Sequence, residues 1–150
     1  MIFALISLLF IVSVQICYKD ITHRTISNKA VGLVLILCLL ISLKVSLLGD
    51  SIGYATLIVV IGFVVSICGV IGGGDIKLLT AYSLAINPNY LSLVFISIGF
   101  IGGLQAIYTI GISTIIRKQS VKHQEGLPYG VPISISCILG IILTVLTSNI

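Results

Sequence analysis

Ile71-Gly72-Gly73-Gly74-Asp75-Ile76-Lys77 is the stretch on which the reading of this chain turns. Three consecutive glycines close the apolar run 52–71, and a carboxylate and an ammonium follow at once. A run of that length is what a helix needs to cross a bilayer, about 20 residues. Working outward, the rest of the chain has the same character. It is 58% hydrophobic and 8% charged, with a mean hydropathy of +1.28, whereas soluble domains carry about 25% charged residues. The apolar runs are continuous, which excludes the alternating strands of an outer-membrane barrel. The sequence therefore predicts an all-α, polytopic membrane bundle, a single domain over residues 1–150 with no room for a separate soluble one.

Spans are predicted at 2–18, 30–47, 52–71, 75–86 and 90–116, with a last one running from Leu127-Pro128-Tyr129-Gly130 to the C-terminus. Between the first two lies a polar, basic connection over 19–29. Gly49-Asp50-Ser51 reads as a short turn and Asn87-Pro88-Asn89 as a clear one. The N-terminus does not read as a cleavable signal, because no basic residue precedes its long apolar run. The segment 75–86 is short enough to be re-entrant, and charge placement decides its reading. Lys19, Arg24 and Lys29 mark the first loop as cytoplasmic, as Arg117, Lys118 and Lys122 mark the fifth. Both hold only if an even number of crossings separates them, so the segment counts. About six transmembrane helices result, with both termini outside the cytoplasm. Asp20 and Asp75 are then separated by two crossings and lie on the same, cytoplasmic face.

The net charge of +4 is spread over loops and span ends and gives no nucleic-acid signal. Cys17, Cys38, Cys68 and Cys137 stand singly in apolar runs and read as buried and inert rather than as a disulfide or zinc set. No metal-ligand spacing occurs among the scattered acids and histidines, and no cofactor is implied. Gly69 with Gly73 and Gly99 with Gly103 have the spacing of close helix packing in lipid. Ser66 and Ser83 could be nucleophiles, but no histidine lies within or beside their spans.

Asp20 and Asp75 remain. Alone, Asp20 could be a solvated carboxylate beside Lys19, Arg24 or Lys29, and Asp75 a helix N-cap. An N-cap does not explain three glycines, which allow another backbone to approach closely. Two carboxylates held near each other share a proton, because like charges resist joint ionisation. The ionised member can then deprotonate water attacking a peptide carbonyl, while the protonated member polarises that carbonyl.

Gly72-Gly73-Gly74-Asp75-Ile76-Lys77 matches the G-x-G-D-x-K motif of the type IV prepilin peptidases, a family of membrane aspartic proteases. Asp20 with Arg24, Ile26 and Asn28 resembles that family's other aspartate block, and Leu127-Pro128-Tyr129-Gly130 resembles its approach to the last span. The resemblance implies Asp20 and Asp75 as the catalytic pair. Gly72, Gly73, Gly74, Lys77, Asn28, Arg24 and Pro128 would be motif or substrate-proximal residues, with Lys77 either pairing near Asp75 or snorkelling to the interface. Ser27 stands where the family usually has proline. The chain lacks the cysteine-rich insertion of the larger enzymes, which implies a peptidase without N-methyltransferase activity, most similar to those of tight-adherence (Flp-type) pilus systems. The implied setting is a bacterial inner membrane with the site facing the cytoplasm. The implied partners are a prepilin with a basic leader, the lipid bilayer and pilus assembly machinery. The competing expectations are a presenilin-like protease, a small ion- or proton-coupled transporter, and a structural subunit of a secretion machine.

Overall fold

The computed structural model describes residues 2–69, 71–116 and 128–148; the basic loop carrying Arg117, Lys118 and Lys122 lies outside them. The described residues form six helices, α1 (Ile2–His23), α2 (Asn28–Lys44), α3 (Leu48–Ile67), α4 (Gly73–Ser83), α5 (Pro88–Ile116) and α6 (Gly130–Ser148). Four of them, α1, α3, α5 and α6, are long and apolar enough to cross a membrane. With 17 residues α2 reaches about 25 Å, and the 11-residue α4 about 16 Å, roughly half the hydrocarbon thickness. The helical part of the fourth segment is thus about half the length of a full span.

The short helix is nevertheless the centre of the bundle. It packs against α2, α3 and α6 and buries Leu78, Ala81 and Tyr82 completely. Around it the core is filled by Leu9 and Ile16 of α1, Val34 and Ile41 of α2, Val94 of α5, and Ile141 of α6. The Tyr82 hydroxyl meets its polar need on Ser13 Oγ, which also donates to the Leu9 carbonyl. Large apolar side chains such as Phe63, Ile67, Ile96, Phe100 and Ile107 point outward. That is how a lipid-facing surface reads, since tails as apolar as the core impose no penalty on such side chains.

Hydrogen bonds at the two ends show that successive helices alternate in direction. At one end the Ser51 hydroxyl donates to the Ile86 carbonyl at 3.5 Å, and the Asn87 N–H donates to Thr144 Oγ1 at 2.9 Å. At the other end the Gly130 N–H reaches Asp20, and Lys77 reaches Asn28. Residues 84–87 therefore complete the path that α4 begins, so the chain does change ends between α3 and α5. The C-terminal half of α5 reaches the Asp20 end, where Gln105 Nε2 donates to the Pro128 carbonyl at 3.1 Å.

Several boundaries differ from the sequence expectation, each for a local reason. Nothing between Tyr18 and His23 breaks a helix, so α1 runs on through Asp20, and only residues 24–27 form the first loop. The solvated-carboxylate expectation for Asp20 thereby fails; the residue is 5% exposed. Gly49-Asp50-Ser51 is not a turn but the first turn of α3, where Asp50 suits the helix dipole. The turn lies just before, where Ser46 adopts φ 57° and the Leu47 N–H closes on the Ser42 carbonyl at 3.1 Å. Asn87-Pro88-Asn89 turns as expected and starts α5, Asn87 Oδ1 accepting the Asn89 N–H at 3.0 Å. A Cβ at Gly69, Gly99 or Gly103 would meet nothing within 4 Å among the described residues, so these glycines make no close helix contact within the bundle. Close approach occurs instead at Gly62 against Ile76 and at Gly140 against Val94. Cys38 and Cys137 are buried, but Cys68 at the end of α3 is exposed.

Candidate active site

One open cavity of about 880 Å³ lies at the end of the bundle where α1 and α3 finish and α4 and α6 start. Asp20 and Asp75 both line it, with His23, Arg24, Ser66 and Tyr129 among their neighbours. Each acid is placed by its own helix. Asp20 sits one turn before the end of α1, and its backbone carbonyl accepts the Arg24 N–H at 3.0 Å. Arg24 then takes φ 51°, a left-handed conformation that ends the helix and sends the chain back toward α2. Ser27 caps α2, its hydroxyl accepting the Ala30 N–H at 3.2 Å. Its φ of −74° lies within the range of proline, so serine and proline serve the same backbone at this position.

Asp75 is the third residue of α4 rather than its N-cap, which is Gly72. From there the carboxylate reaches back and accepts the Gly72 N–H, the reverse half of a capping box. A Cβ at Gly72 would stand 3.0 Å from Asp75 Oδ2. Asp75 lies outside the four helices that are long and apolar enough to cross a membrane. Its carboxyl is pushed up to about 6, first by burial and second by the charge of Asp20, against the opposing hydrogen bond from Gly72. The two acids are thus close enough to feel each other. Asp20 is held differently: its Oδ2 accepts the Gly130 N–H at 2.8 Å from the first turn of α6.

Of the other residues singled out from the sequence, Arg24, Gly72, Gly73 and Gly74 line the cavity with the acids. Asn28, Lys77 and Pro128 do not. Lys77 Nζ donates to Asn28 Oδ1 at 3.5 Å in an adjoining groove, away from Asp75. Pro128 ties its segment to α5 through its carbonyl. Sequence reasoning gave no role to Tyr129, which lines the cavity, or to Gly130, which donates to Asp20. Their signal was the Leu127-Pro128-Tyr129-Gly130 stretch, whose chemistry lies in its glycine rather than its proline. No three His, Cys, Asp or Glu side chains converge as a metal site among the described residues.

A helical membrane bundle with two carboxylates converging in one open cavity defines the broad class. The family follows from comparison. Residues 4–107 match the type IV leader peptidase family, and the chain belongs to that family. The match takes in α1 to α4 and most of α5, hence both acids. Neither a curated relative nor a solved structure matches the chain.

Proposed function

We propose that the chain is an aspartic endopeptidase that removes the short basic leader of Flp-type prepilins at the cytoplasmic face of a bacterial inner membrane. The observation that carries this reading is the meeting of Asp20 and Asp75, distant in sequence, in one cavity of a leader-peptidase family member. The pair shares a proton. Its ionised carboxylate takes a proton from a water as the water oxygen bonds to the scissile carbonyl carbon. Its protonated carboxyl hydrogen-bonds the carbonyl oxygen and then helps protonate the leaving amine as the C–N bond breaks. Lys19, Arg24 and Lys29 stand at the Asp20 end of the bundle, which supports a cytoplasmic orientation for that end. With only residues 24–27 joining α1 to α2, the first loop has no space for the insertion that accompanies N-methylation, which supports a peptidase without methyltransferase activity.

A groove of about 590 Å³ between α2 and α3, floored by α4, shares Ser66 and Gly73 with the aspartate cavity. Its deeper walls are Val31, Gly32, Leu35, Val59 and Phe63. The apolar helix of a membrane-bound prepilin fits this groove, because its continuity with the cavity delivers the leader junction to the acids.

The test is co-expression of an Flp-type prepilin with wild type, Asp20→Asn and Asp75→Asn, with membrane levels matched. Asparagine keeps size and polarity, so each variant is expected to accumulate uncut precursor while the wild type cleaves. Cleavage by both variants would sink the aspartyl mechanism. Ion or proton flux that depends on the acids, with no cleavage by wild type, would place a transporter in its stead.

A further inference from the structure

The start of α6 is built around a single contact. Tyr129 caps the helix, its carbonyl accepting the Ile133 N–H at 3.2 Å. Gly130 is the first helical residue, and Pro132 has no N–H to satisfy. A helix start leaves unpaired N–H groups that usually find a nearby side-chain oxygen. Tyr129 brings no such oxygen, and the Gly130 N–H instead finds a carboxylate on another helix, Asp20 Oδ2 at 2.8 Å. The approach is possible only without a side chain. A Cβ at position 130 would lie 2.7 Å from Asp20 Oδ2, 3.0 Å from its Cγ and 3.3 Å from its Cβ. The obstructing atoms belong to a short side chain that is itself buried, so it has little freedom to move aside.

From this geometry we infer that Gly130 is a positioning residue for the peptidase reaction, fixing Asp20 through its backbone N–H and through its lack of a side chain. The inference rests on the aspartyl-peptidase reading above. The bond engages Oδ2, so Oδ1 is the oxygen left to address water or the substrate carbonyl. A hydrogen bond from a helix N-terminus also favours the ionised form of the group that accepts it. The other titratable or charged groups around Asp20 are Asp75 on α4, Cys17 and His23 on α1, Arg24 just after it, and Tyr129 ahead of α6. Gly130 touches the carboxylate with an uncharged backbone donor, at 2.8 Å.

The wild-type protein itself supplies the first test. Tyr129-Gly130 is the one Tyr-Gly pair in the sequence, so labelling tyrosine carbonyls with carbon-13 and glycine nitrogens with nitrogen-15 isolates a single amide signal in detergent or nanodiscs. That signal is expected to move with pH, with a midpoint matching the acid limb of kcat/KM for prepilin cleavage. In Asp20→Asn it should stay still. Gly130→Ala is expected to lower kcat by about 10–100-fold with KM unchanged, as a displaced catalytic group does, and to move the acid limb to higher pH. Gly140→Ala, on the same helix but clashing with Val94 at 2.5 Å, controls for packing; it should lose thermal stability and keep the wild-type pH profile. A Gly130 amide blind to pH, in a protein that both asparagine variants inactivate, would overturn this inference and leave the peptidase reading standing. So would a Gly130→Ala variant whose cleavage falls only with its folded fraction. Cleavage by both asparagine variants would remove the reading itself.

Discussion

Gly62→Ala should damage the site without touching it, and its partner substitution should repair it. A Cβ at Gly62 would lie 2.5 Å from Ile76 Cγ2, 3.3 Å from Cγ1 and 3.4 Å from Cβ. The first distance is impossible, the last tolerable, so α3 and α4 must part unless Ile76 loses its branches. Overpacking of this kind costs about 1–3 kcal/mol. Ile76 follows Asp75 directly on α4, and a misplacement of about 1 Å at a catalytic group can cost about 100-fold in rate. Ile76→Ala alone leaves a void and costs about 2 kcal/mol, the low end for such truncations because the residue is half-buried. In the double variant the clash is gone, since only the Cβ contact remains. Its stability should therefore resemble that of Ile76→Ala, a coupling of about 2 kcal/mol between the two sites. The assay is a double-mutant cycle, with thermal unfolding in detergent and prepilin cleavage read on the same four proteins. The Gly62→Ala cleavage defect should be largely restored by Ile76→Ala. Strictly additive losses in both readouts would refute the claim that this contact sets the α3–α4 distance and, through it, the position of Asp75.

Three further outcomes are expected. Asp75 should titrate near 6, so about one in eleven is protonated at pH 7, against roughly one in 1,600 at the ordinary 3.8; carbon-13 NMR of the aspartate carboxyls measures this, and cleavage that needs the shared proton should decline as pH rises through that value. In Asp20→Asn the same midpoint should fall yet stay above 3.8, because burial, the largest cause, outweighs the opposing hydrogen bond from Gly72, the smallest. Gly32→Leu, which fills the α2–α3 groove from a position where a Cβ meets nothing within 4 Å, should raise KM for a membrane-bound prepilin while leaving thermal stability unchanged, and an unaltered KM would remove the groove as the substrate helix's path. Tyr82→Phe should cost about 1 kcal/mol in thermal stability, since Ser13 Oγ keeps its bond to the Leu9 carbonyl at 2.7 Å, and should leave the pH profile in place.

The sequence revealed those features that depend on composition and on strong local signals. Continuous apolar runs announced an all-helical bundle, and Asn87-Pro88-Asn89 announced a turn, because neither depends on distant partners. Residues such as Lys19, Thr22 and His23 misled at the end of α1: they are polar but not helix-breaking, and the helix carried Asp20 into a buried position. Gly49-Asp50 misled for a related reason, since a carboxylate in a first helical turn is as well placed as one in a loop. The glycine spacing marks no close contact within the bundle, because spacing along the chain does not say what stands opposite. Gly62 and Gly140 matter through Ile76 and Val94, which are remote in sequence. Gly130 was hidden for the same reason, its partner being a side chain on the first helix.

That partnership has a counterpart across the cavity, and the two together account for why the fold uses glycine where it does. Asp75 accepts a backbone N–H from Gly72 at the start of α4, and Asp20 accepts one from Gly130 at the start of α6. In both places a Cβ would stand against the carboxylate, at 3.0 Å and 2.7 Å. Each acid is therefore seated on a helix N-terminus by way of a residue with no side chain. A charge at a helix N-terminus is stabilised by about 0.3–2 kcal/mol. The short α4 serves this arrangement directly. Because residues 84–87 complete its path to the far end, its own N-terminus is free to stand at the level of Asp20, beside the start of α6. Two helix starts facing two acids offset the pair's own repulsion and let both carboxylates stand in one cavity.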